Sequence, residues 1–224
     1  MLTGIAVALV IVAGSVIPFL TPQWVAFEQG RAQAAAWTGF SPEDLRLATD
    51  AILSDLVWGP PHFDVQVGGV PVLNEREQAH MRDVRTVFMG LFAAAAISVG
   101  VLIIASRRHD RARTWRAVRR GALGLVVATV LLGVVGLVAF DQLFELFHRV
   151  FFPPGSYLFD PATDRLVQLF PFQFWQETAM VVGVVIVAVS LATAWVAGRR
   201  RARAILAVPQ TSATGVPAMP PADR

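Results

Sequence analysis

Two histidines stand in settings suited to proton transfer. In Glu77-Gln-Ala-His80-Met-Arg-Asp83 a helix puts Glu77, His80 and Asp83 on one face, together with Val84. In Asp141-x-x-x-Glu145-x-x-His148 the i, i+4 and i+7 spacing does the same for the second imidazole. Imidazole is the natural general base near neutral pH, and a carboxylate on its other ring nitrogen fixes the tautomer and raises basicity. The chain has no cysteine and no lysine. That removes thiol nucleophiles, disulfides, Cys-type metal sites, Schiff bases and a Walker-type phosphate loop from consideration. A serine nucleophile would have to be Ser41, Ser54 or Ser156, and none sits in a G-x-S-x-G elbow. Glu77-x-x-His80 also has the spacing of a carboxylate-bridged metal bundle, but in a single copy. Two histidines and a carboxylate are a zinc-type donor set. The same polar groups serve equally as helix caps and surface ion pairs. Spacing alone leaves acid–base catalysis, metal binding and a purely structural use open, and no metal or cofactor is assigned.

The elements that position these groups are set by composition. Of 224 residues, 55% are hydrophobic and only 16% charged, against about 25% charged in a typical soluble domain. Mean hydropathy is +0.56. The expected fold is therefore an all-α membrane protein with four transmembrane helices, at about 2–20, 86–105, 121–140 and 178–197. None of these stretches holds a charged residue. The first has no basic segment before it and no small-residue cleavage site, so it reads as a retained helix. Residues 1–204 are expected to form one membrane domain, and residues 205–224, rich in Pro, Ala, Ser and Thr, a disordered tail.

Charge sets the expected orientation. All 19 basic residues are Arg. Segment 106–120 carries seven Arg and one Asp, and Gly198–Arg203 carries four Arg. Short Arg-rich loops belong in the cytoplasm, which also makes nucleic acid an unneeded explanation for them. Segments 21–85 and 141–177 then face outward with 7 Arg and 14 acids, net −7. Both termini are expected inside and the active face outside. The spans hold no Asp, Glu, His or Arg, against a proton-coupled transporter or ion channel. Nothing resembles a nucleotide site.

The outer segments should form a small cap. Ser41-Pro-Glu-Asp44 starts a helix over 42–56. Residues 62–67 and 70–73 flank Gly68-Gly69 as a β-hairpin. Asn74-Glu-Arg-Glu77 is a capping box that opens a helix running unbroken into the second span. His80 then lies roughly 9 Å above the hydrocarbon edge and His148, beyond an extended third span, roughly 12 Å. Asp160-Pro-x-x-Asp164 reads as an Asx-capped turn. Phe151, Phe152, Phe170, Phe172, Phe174 and Trp175 give an aromatic surface, either an interfacial belt or a lipid-binding wall. His62, beside Pro60-Pro61, and His109, in the Arg-rich loop, read as solvated.

Leu73-Asn-Glu-Arg-Glu-Gln-Ala-His80-Met-Arg-Asp83-Val-Arg85 resembles a signature of a bacterial four-helix membrane family that includes the lipoprotein intramolecular transacylases (Lit). So does Phe147-His148-x-x-Phe151-Phe152 with Asp160-Pro-x-x-Asp164-x-Leu-Val-x-Leu-Phe-Pro171. The chain departs from that pattern at Phe172, where an acidic residue is expected, and at Tyr157, where Trp is expected. The resemblance implies a cell-membrane acyltransferase of lipoprotein modification. It moves the sn-2 acyl chain of a diacylglyceryl lipoprotein to the α-amino group of its N-terminal Cys, giving the lyso form without nucleotide or metal. By that resemblance His80 is the leading base and His148 its partner as acid or oxyanion stabiliser. Glu77, Asp83 and Glu145 are orienting candidates. Asn74 and Arg76 would donate to a carbonyl oxygen or fix the loop. Phe151, Phe152, Tyr157, Asp160, Asp164, Phe170 and Trp175 are candidate substrate contacts, with diacylated lipoprotein and membrane phospholipid as partners.

Overall fold

A computed structural model describes residues 1–108 and 110–206. His109 and nearly all of the expected disordered tail lie outside the described residues; Ile205 and Leu206 end a helix. The protein is a multi-pass membrane protein with four helices long and apolar enough to span the bilayer. These contain α1 (Leu2–Val16, continued by a 3-10 turn over Ile17–Leu20), α5 (Glu75–Arg108), α6 (Arg111–Phe151) and α8 (Phe172–Leu206). A cap at one end of the bundle adds α2 (Pro22–Arg31), α3 (Ala34–Thr38), α4 (Pro42–Val57), a two-stranded hairpin of β1 (Gln66–Val67) and β2 (Val70–Pro71), and α7 (Arg165–Leu169).

Local chemistry accounts for most boundaries. Thr21 caps α2, with Pro22 at its first position. Ser41 Oγ accepts the Asp44 N–H at 3.1 Å to start α4. Gly68 and Gly69, at φ 59° and 80°, turn the hairpin as only glycine does without strain. The strands are shorter than expected, because Phe63 has left the strand conformation (φ 55°) to bury its ring completely. The capping box is present: Glu77 N–H donates to Asn74 Oδ1 at 3.0 Å and Asn74 N–H to Glu77 Oε2 at 2.7 Å. From it α5 runs without a break to Arg108. The third span does not extend as smoothly. Ala139 has non-helical angles (φ −143°, ψ 40°), so the segment carrying His148 is a separately aimed outer arm.

In the bundle, α8 runs alongside α6, and α1 packs on α5, α6 and α8, whereas α5 and α6 touch sparsely. Small residues make the close contacts. A Cβ on Gly121 would stand 2.6 Å from Gly4 Cα, and Ala122 and Ala197 are fully buried. In the cap, α2, α4, the hairpin, α7 and the first turns of α5 and α8 close on one apolar core that includes Ile52, Phe63, Leu73, Met81 and Leu169. Each large side chain buried there contributes roughly 1.5–3 kcal/mol. A polar thread crosses this core: Thr49 Oγ1 donates to Gln29 Oε1 at 3.1 Å, and Gln29 Nε2 donates to the Leu169 carbonyl at 3.0 Å. It ties α2, α4 and α7 together.

Candidate active site

The first turns of α5 and the outer arm of α6 bring His80 and His148 together, with ring centroids 5.9 Å apart and planes within 20°. Phe152 lies 4.7 Å from His80 and 5.2 Å from His148. Phe159 adds an edge at 5.4 Å to His80, and Tyr157 lies 5.1 Å from His148. The two imidazoles, which the sequence places at similar height, share one aromatic-walled site just above the spanning segments.

The rings differ. His148 Nδ1 lies 2.7 Å from the Phe144 carbonyl. Only a protonated nitrogen can donate there, so Nε2 carries the lone pair. His80 Nδ1 is buried and has no hydrogen-bond partner among the described residues. Burial, and secondarily the neighbouring His148, lowers the His80 pKa to about 4. Burial also lowers that of His148, opposed by its bond to Phe144. Both rings are thus held neutral through the physiological range, with a nitrogen able to accept a proton.

The expected carboxylate partners sit elsewhere. Glu77 is 1% exposed, and its oxygens accept the N–H groups of Asn74 and Leu166, the latter at 2.6 Å. It fastens α7 to α5 and makes no hydrogen bond to His80. Glu145 pairs with Arg149 on an exposed face. The orienting group of His148 is a backbone carbonyl one helical turn back, which leaves no trace in side-chain spacing. Asp83 makes no hydrogen bond to either imidazole. Among the described residues no three His, Asp or Glu side chains are grouped to hold a metal ion. The hydroxyls of Ser41 and Ser156 bond within their own turns.

A clamp holds the loop that walls the site. Asp164, 4% exposed, accepts from Asp160 N–H at 2.7 Å, Asn74 Nδ2 at 3.0 Å and Arg76 at 2.7 Å. Asp160 Oδ1 accepts the Ala162 N–H at 2.9 Å, the expected Asx turn. The Arg76 guanidinium lies 5.0 Å over the Phe159 ring, and so backs the aromatic edge that faces His80. Asn74, Arg76, Asp160 and Asp164 together fix the loop, and Arg76, 52% exposed, keeps further N–H donors beyond its bond to Asp164. The aromatic surface divides. Phe152 and Tyr157 face the histidines, Phe170 is buried in the cap core, Phe151 is exposed, and Trp175 packs on Phe170 and Phe144. Phe144 and Phe159 are wall residues that the sequence reading did not single out. A run of aromatics signals a wall but does not say which of them face inward.

Comparisons with known proteins place the fold and the sequence family. The sequence model of the family described as "Lipoprotein intramolecular transacylase Lit" matches residues 1–175. The solved structure of the membrane integral lipoprotein intramolecular transacylase Lit from Bacillus cereus superposes with a TM-score of 0.77 at 14% identity, covering 92% of this chain and 95% of that one. A variant of it with one histidine replaced by arginine gives 0.71 at 13% identity, over 92% and 91% of the two chains. These likenesses establish the fold. An Aquifex aeolicus (strain VF5) protein described as uncharacterized is 28% identical over 119 residues, 52% of each chain, so this chain spans about half that relative's length. With the family match covering the cap, both histidine motifs and three of the four spanning helices, this chain belongs to the lipoprotein intramolecular transacylase Lit family.

Proposed function

We propose that the protein is an intramolecular acyltransferase of bacterial lipoproteins, working at the outer leaflet of the cell membrane with both termini in the cytoplasm. The sn-2 acyl group of the diacylglyceryl-Cys passes to the α-amino group of the same residue. The observation that carries this reading is the pairing of a buried and a half-buried imidazole, both neutral and the first with an unpartnered nitrogen, in an aromatic recess beside the bilayer.

The chemistry asks for little else. Amine and ester belong to one substrate, so holding them in contact supplies much of the rate. No enzyme nucleophile is needed. The amine attacks the ester carbonyl, the new C–N bond forms, the glycerol C–O bond breaks, and one proton must travel from nitrogen to the departing oxygen. The His80 imidazole takes that proton, and the glycerol oxygen receives it from the imidazolium so formed. His148 Nε2 accepts a second N–H of the amine and aims its lone pair at the carbonyl. Phe152, Phe159 and Tyr157 hold the acyl chain and exclude water, which would otherwise hydrolyse the ester. The clamp on Asp164 keeps Phe159 in place.

The test is mass spectrometry of lipoprotein N-terminal peptides from a host whose lipoproteins are only diacylated. Expression of the chain is expected to yield the N-acyl, S-monoacylglyceryl form, and His80→Ala is expected to abolish it. Unchanged lipoproteins beside a folded, membrane-inserted protein would overturn the reading in favour of a lipid-binding protein whose histidines are structural.

A further inference from the structure

The Arg-rich face, at the far end of the bundle from the cap, holds a cavity that acyl transfer leaves unused. Arg116, Arg119 and Arg120 of α6 and Arg201 of α8 line its volume of about 310 Å³. Their i, i+3, i+4 spacing puts the first three on one face of α6. Arg119 lies across the partner helix at Gly198, its Nε and Cδ 3.6 and 3.7 Å from where a Cβ would project. Four guanidiniums thus face one space. No carboxylate lines it, and among the described residues none of the four forms an ion pair. Arg201 Nε is buried without a hydrogen-bond partner among the described residues. Its neighbour Arg199 differs, lying 4.9 Å over the Trp195 ring.

Like charges gathered this way repel unless an anion bridges them. Planar guanidiniums offer paired donors that match phosphate oxygens. Depth then identifies the source of the phosphate. Arg120 immediately precedes Gly121, where the apolar span begins, and Arg201 stands four residues past Ala197, where the last one ends. That is roughly 2–6 Å outside the hydrocarbon edge, the level of lipid phosphates. A headgroup with its own cation would bring that charge against four arginines; one without would not. We propose that this cavity binds the phosphate of an anionic phospholipid of the leaflet on the arginine-rich side, with its acyl chains lying along α6 and α8.

Native mass spectrometry of the detergent-purified full chain tests this with dioleoylphosphatidylglycerol, dioleoylphosphatidylcholine and inorganic phosphate as probes. The phosphatidylglycerol adduct is expected to dominate. Removing one guanidinium costs about fivefold in affinity, and the Arg119→Gln/Arg201→Gln double variant about 25-fold. The double variant Arg107→Gln/Arg108→Gln removes equal charge from the same face outside the cavity, and is expected to stay within about twofold of the parent. Should the first double variant fail to fold, the exposed single change Arg116→Gln gives the fivefold step. Three results would each overturn the proposal: equal binding of the two lipids, equal losses in both double variants, or displacement of phosphatidylglycerol by inorganic phosphate at equal concentration, which assigns the cavity to a free anion.

Discussion

In the cap, Ile52, Phe63, Leu73 and Leu169 are at most 1% exposed, whereas along α6 Leu131, Leu132, Leu137 and Val138 are 59–86% exposed. Side chains of the same kind are turned inward in one region and outward in the other. Water drives the first arrangement, because burying apolar area is the main gain a small extramembrane unit has. Lipid removes that gain, so the bundle fits together by close backbone approach at Gly4, Gly121, Ala122 and Ala197. The two histidines lie where these regimes meet. The cap supplies dry packing and fixed polar ties, and the bundle supplies exposed apolar helix faces beside them. Neither part alone would give two neutral imidazoles at the membrane surface.

Four experiments break or sharpen that contrast. The largest effect is expected for His148→Ala, which leaves cap and bundle folded and lowers lyso-lipoprotein formation by about 10²–10⁴-fold, read in single-turnover assays. Loss of folding in place of activity would make the residue structural. Next, Leu169→Ala should destabilise the cap by about 2–5 kcal/mol. Hydrogen exchange is expected to rise in α2, α4 and α7 while the spans stay protected; uniform deprotection would mean that the two regions are one cooperative unit. Gly121→Ala acts on the other side of the contrast. Its new Cβ would lie 2.6 Å from Gly4 Cα and O, so α1 must move away from α6, at a cost of about 1–3 kcal/mol seen in unfolding from detergent. The smallest effect concerns pH. The His80 pKa is lowered to about 4 and burial pushes that of His148 below its ordinary value, so His80 does not ionise near 6.5 and any His148 limb falls below it. The attacking amine, with a pKa of about 7.7–8.0, must be neutral to react. The rate constant kcat/KM should therefore rise with pH through 7 and 8 and level off near about 9, with no separate limb near 6.5. A limb at 6.5 would mean that water reaches the pair.

The four spanning helices were legible because apolar length is a property of composition and needs no partner. The capping box at Asn74 and Glu77 and the start of α4 at Ser41 were equally legible, since each is local. The short cap helices were not. α3 and α7, five residues each, are below the length at which a helix supports itself, and only packing stabilises them. At the candidate site, helical spacing places both histidines at one level but does not decide which helices are neighbours. That depends on small-residue contacts and cap closure far along the chain. The carboxylates misled for a physical reason. Glu77 is close to His80 in sequence, yet two backbone N–H groups compete for its oxygens and a buried carboxylate needs both. For His148 the partner is the Phe144 carbonyl, and every helical residue has a carbonyl one turn behind it.

The bend at Ala139 has a mechanical consequence. α5 is an unbroken rod of 34 residues, about 50 Å long, so a thinner or thicker bilayer tilts it as a whole and carries His80 along. α6 is jointed at Ala139, so its outer arm need not follow the tilt of the spanning part. The gap between the two rings then depends on bilayer thickness. Transfer measured in vesicles of increasing acyl length should peak at one thickness and fall on both sides, whereas a flat profile would mean that the joint absorbs the mismatch. Under the proposed function, such a peak makes acyl transfer sensitive to the thickness of the surrounding membrane.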